Sequence, residues 1–96
     1  MDNYYEKIND LVIGLLVPAR TEKKIDSKVY DKFCEILINL AKDLKGKEYI
    51  SIKLAGLLFM IETSLSAEAS YCEPDDEVFC AYCRISRLIE NIFNVS

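Results

Sequence analysis

Apolar residues recur at three- and four-residue intervals in four blocks, the period of a helix with one buried face. In the first block Tyr4, Ile8, Leu11, Val12, Leu15 and Leu16 share a stripe. The helix they predict should stop near Val17, because Pro18 disfavours helical backbone at the residue before it. A polar loop, "ARTEKKI", follows. Asp26 or Ser27 can cap the second helix, whose stripe is Val29, Phe33, Ile36, Leu37, Leu40 and Leu44. Gly46 stands just past its end, where a left-handed residue is wanted.

The third block opens on "YISIKL", which alternates like a strand. Ile50, Leu54, Leu57, Leu58, Ile61 and Leu65 also lie on one helical face, and the run is too long for one strand. The reading is a helix from about Glu48 to Leu65. It would be apolar around most of its circumference, which places it centrally. The fourth block carries Val78, Tyr82, Ile85, Leu88, Ile89 and Ile92. Pro74 suits its first turn, and Asp75, Asp76 and Glu77 would face the positive end of the helix dipole. Four helices with short connections give an all-α fold, a compact four-helix bundle.

Ninety-six residues without repeat or linker make one domain, residues 1–96. Apolar residues make up 51%, enough for a globular core and too many for a disordered chain. The formal net charge of −4 disfavours nucleic acid, which is held mainly by Lys and Arg, and favours a basic partner. The acidic start "MDNYYEKIND" is unlike a secretory signal, and "LVIGLLVPA" is shorter than the roughly 20 apolar residues that span a bilayer. The expectation is a cytoplasmic protein with no membrane partner, its four cysteines reduced.

Histidine is absent, which removes the commonest general base and metal ligand. There is no glycine-rich phosphate loop and no nucleophile elbow, so an enzyme is not expected. Cys80 and Cys83 form a C-x-x-C pair with Cys72 upstream. Three thiolates could hold zinc in a helical adaptor. The pair falls inside a helical pattern without the turn residues of a zinc knuckle. One of the two is therefore expected to pack as a small apolar residue. No metal or cofactor is assigned.

The chemistry gathers in "YCEPDDEVF", residues 71–79. Between Lys53 and Arg84 there is no base, yet Glu62, Glu68, Glu73, Asp75, Asp76 and Glu77 all lie there. Helix-dipole stabilisation accounts for Asp75, Asp76 and Glu77 and leaves Glu62 and Glu68 unexplained. A calcium loop would need a D-x-[DN]-x-[DN]-G pattern that is missing. A basic protein partner remains, since complementary charge speeds encounter and fixes orientation. Tyr71, beside the acids, is a candidate anchor or a seal for the bundle end.

Residues 57–93, "LLFMIETSLSAEASYCEPDDEVFCAYCRISRLIENIF", resemble the immunity proteins of the colicin D type and the small helical immunity proteins of contact-dependent growth inhibition. The likeness rests on Leu58, Phe59 and Met60 followed by Glu62, then Tyr71, Glu73, Asp75 and Asp76, then a last helix with Arg84, Ile85 and Leu88. The chain departs from that family in its longer first loop and its C-x-x-C pair. The resemblance implies a four-helix inhibitor of a cognate toxin, commonly a tRNA-cleaving ribonuclease with a basic cleft. It implies Glu62, Glu73, Asp75 and Asp76 as partner-binding residues with Tyr71 as anchor; Glu68 and Glu77 join them on charge. The expected partner is that basic nuclease domain, with no direct nucleic-acid contact and a monomer in the toxin complex. A helical module dimerising through its apolar third helix is the further alternative.

Overall fold

The structure, a computed structural model, describes residues 2–93. Its helices are α1 (Asp2–Thr21), α2 (Ser27–Leu44), α3 (Ile52–Ala69) and α4 (Glu77–Phe93). They form the all-α four-helix bundle that the periodicity predicts, with α1 on α2, α1 on α3, α3 on α4 and α2 on α4. The order around the core is thus α1, α3, α4, α2. The consecutive helices α2 and α3 stand diagonally opposite, joined across one end by residues 45–51.

Cross-helix contacts fix the directions. Tyr4 near the start of α1 donates to Asp43 near the end of α2, so those helices are antiparallel. Lys53 lies over the Tyr5 ring and Lys23 reaches Glu68, so α1 and α3 run parallel. Ile25 N–H donates to Glu77, which brings the starts of α2 and α4 together. One end of the bundle therefore holds both hairpin turns, residues 22–26 and 70–76.

The predicted stripes meet inside. Ile8, Leu15, Phe33, Leu37, Leu58 and Ile85 are fully buried, and no polar or charged side chain among the described residues is buried with them. Each such side chain stabilises the fold by about 1.5–3 kcal/mol relative to exposure. Asp26 caps α2 by accepting from Lys28 and Val29 N–H, and Gly46 follows the helix with φ +80°.

Four boundaries depart from the sequence reading, one of them the end of α3, which runs a turn past Leu65 to Ala69. Helix α1 continues through Pro18 for another turn. Burial of Ala19 and the two hydrogen bonds that the Pro18 carbonyl accepts, from Glu22 and Lys24 N–H at 2.9 and 3.1 Å, hold this last turn in place. Residues 48–51 form neither helix nor strand. Ser51 caps α3 instead, its hydroxyl accepting from Leu54 N–H at 3.0 Å. Pro74 and Asp75 precede α4 and occupy the centre of a turn closed by Asp76 N–H on Glu73 O at 3.0 Å. Proline at the second position of such a turn is favoured by its fixed φ.

Helix α3 is also not central. It packs on α1 and α4 through Leu54, Leu58, Ile61 and Leu65, and its opposite face carries exposed Ile52, Phe59 and Met60. An apolar circumference here means one buried face and one uncovered face.

Candidate functional site: an acidic end and an apolar groove

The 70–76 turn and its flanks bring Glu68, Tyr71, Glu73, Asp75, Asp76 and Glu77 to one end of the bundle. Their situations differ. Glu68 lies in the last turn of α3, at the negative end of that helix, where a carboxylate is disfavoured. Two cations from the end of α1 compensate: Lys23 Nζ at 2.8 Å and Arg20 Nε at 3.4 Å. The hydrogen bond from Lys23 is the main cause that holds the Glu68 carboxyl below its ordinary range, against burial that pushes it up. Arg20 adds to the lowering.

Glu77 is engaged differently. Its Oε1 accepts from Ile25 N–H at 2.7 Å and ties the two turns together. Asp76 opens α4, its carbonyl accepting from Cys80 N–H, while its Oδ2 accepts from Glu73 N–H at 3.1 Å. The side chains of Glu73 and Asp75 make no hydrogen bond or ion pair among the described residues, and both are exposed. Tyr71 is 81% exposed, with Lys23 Nζ 5.4 Å from its ring centroid.

Glu62 belongs to another surface. It lines an open groove of about 790 Å³ between the outer faces of α3 and α4. Ile50, Ile52, Phe59, Ile89 and Phe93 are its large apolar lining residues, and Gly56 lines it with them. The charged residues lining the groove are Glu62 from α3 and Glu90 from α4. Lys53, on the same stretch of α3, turns toward α1, its Nζ 4.5 Å from the Tyr5 ring centroid.

The cysteines are all free thiols. Cys34 is buried, and both Cys80 and Cys83 are exposed. The expectation that one of the pair packs in the core is therefore corrected: α4 buries Val78, Ala81 and Ile85 instead, and positions 80 and 83 fall outside that stripe. Among the described residues no three His, Cys, Asp or Glu side chains come together as a metal site. No helix among them is long and apolar enough to cross a membrane.

Sequence reasoning passed over Arg20 and Lys23, whose pairing with Glu68 spans more than forty residues of chain. It also passed over the groove. Its signal was present: Ile52, Gly56, Phe59 and Thr63 repeat at helical spacing on the side of α3 opposite Leu54, Leu58, Ile61 and Leu65. Comparison with protein-family models, with curated proteins and with solved structures finds no match.

Proposed function

We propose that this chain is an immunity protein that neutralises the C-terminal nuclease domain of a bacterial toxin, presenting its acidic end to the basic cleft that holds the RNA substrate. The carrying observation is the division of labour around the 70–77 turn. Glu68, Asp76 and Glu77 serve the fold, whereas Glu73 and Asp75 project from the turn with no partner among the described residues. Two like charges so placed repel each other and gain nothing within the chain. A cationic surface supplies the missing interaction.

The mechanism needs no bond making. A ribonuclease cleft is basic because it binds phosphates, and carboxylates on a rigid turn compete for the same cations. Charge complementarity accelerates encounter and orients the two proteins. Tyr71, exposed beside the acids, gives such an interface an amphipathic anchor at low entropic cost. Occlusion then excludes the tRNA.

The test is to look in the neighbouring gene for a basic nuclease domain and to measure its tRNA cleavage with and without the purified protein. The expected result is stoichiometric inhibition that weakens with salt. Full cleavage at equimolar protein and low salt would overturn the reading.

A further inference from the structure

The groove between α3 and α4 is a feature that the acidic end does not explain. Ile52 is 90% and Phe59 73% exposed. Helix α3 buries six residues and leaves these two side chains in water, where neither stabilises the fold. Gly56, which also lines the groove, leaves open space there: an added Cβ would have nothing within 4 Å. Gly56 in the middle of α3 weakens that helix by about 0.5–1 kcal/mol relative to alanine, so its smallness is not explained by the fold.

We propose that this groove receives a cationic amphipathic helix of a protein partner. The occupant follows from the charges. The groove's lining is apolar apart from Glu62 on α3 and Glu90 on α4, with no base among the described residues that line it. A helix that lays an apolar stripe between these carboxylates, with Lys or Arg flanking the stripe, matches both features. The length also fits. Ile52 to Glu62 spans about 15 Å of α3, and anchors at i, i+3 or i+4, and i+7 need about 10.5 Å. A second copy docked groove to groove would instead bring four carboxylates together with no cation among the lining residues. The inference rests on the immunity reading only in taking the partner to be a basic protein.

The probe is a synthetic helical peptide of about 14 residues with Leu at i, i+3, i+4 and i+7 and Lys flanking them, labelled for fluorescence anisotropy. Two controls accompany it: the same peptide with Glu for Lys, and a scrambled peptide of the first composition. The Lys peptide is expected to bind saturably at one per chain, and the two controls far more weakly. Glu62→Lys with Glu90→Lys should weaken it roughly tenfold or more, as should Phe59→Ala. Gly56→Leu, which fills the groove without removing a core contact, should block it. Glu73→Lys with Asp75→Lys should leave it unchanged, which separates this groove from the acidic end and from failure of the toxin assay. Equal binding of the Glu peptide, binding lost through the Glu73 and Asp75 reversals alone, or no binding at all would overturn the proposal. So would a dimer in sedimentation velocity that Gly56→Leu dissociates, because the groove would then hold a second copy.

Discussion

Lys23, held at a left-handed φ of 55° just past α1, donates from Nζ to Glu68 Oε1 at 2.8 Å. The contact joins the ends of two parallel helices. The carboxylate lies at the negative end of α3, and the cation that follows α1 turns that position from unfavourable to favourable. Glu68 therefore titrates below an ordinary carboxyl in the folded protein, chiefly through the Lys23 hydrogen bond. A depressed folded-state value means stability that is present above the unfolded value, about 4.3, and is lost as pH falls through the folded one. Glu68→Gln should be less stable than the wild type at pH 7, and the gap should close in the acid range below about pH 4.3. Thermal melts from neutral to acid pH check this; parallel curves for the two proteins would refute it.

Glu77 makes a different kind of link, because its partner is the Ile25 backbone N–H at the other turn. Glu77→Ala leaves that donor to water and loosens the register of the two hairpins. The expected loss is about 1 kcal/mol, given the exposure of the bond. For a domain of this size that lowers Tm by about 4–8 °C. Glu77→Gln keeps an acceptor in place and should lose much less. Equal melting of the two variants would mean that charge, not the cross-turn bond, is what matters.

The extent of agreement between sequence and structure follows the range of the forces involved. Phe33, Leu37, Ile85 and Ile89 were legible because helical period and burial are local properties of pattern. Pro18 was misread as a stop because its penalty is local, while the burial of Ala19 that overrides it is tertiary. The outer face of α3 was read as buried because periodicity reports apolarity and not what covers it. The acids were read as one uncompensated patch. Arg20 and Lys23, distant along the chain, neutralise Glu68, and Glu62 faces the α3–α4 groove. Pairing between elements, and the absence of a neighbour, are set by topology.

Gly56 gives a stability test that is independent of any partner. It lies inside α3 with open space where a Cβ would stand. Gly56→Ala should stabilise the protein by about 0.5–1 kcal/mol, since alanine restricts the unfolded chain and clashes with nothing. Gly14 is the contrast: a Cβ there would meet Val29 Cγ2 at 3.1 Å, so that Gly14→Ala gains less or loses. Urea unfolding of the two variants checks the order, and a Gly14→Ala more stable than Gly56→Ala would contradict the packing described.

Glu73 and Asp75 are the cleanest probe of the acidic end, because reversing them breaks no hydrogen bond or ion pair among the described residues. Asp76 is a poorer choice, since its carboxylate holds the Glu73 N–H and its carbonyl opens α4. Glu73→Lys with Asp75→Lys should shift stability by no more than about 0.5 kcal/mol in either direction, as for other surface substitutions. Association with the proposed partner, a basic toxin domain, should slow by about tenfold or more at low salt, because steering depends on the field of the whole end. The difference should shrink at high salt as screening removes the advantage of the wild type. Stopped-flow association at several salt concentrations, with tRNA cleavage as the functional readout, measures both. Wild-type association rates for the double reversal at low salt would mean that the toxin, if bound, meets a different face of the bundle.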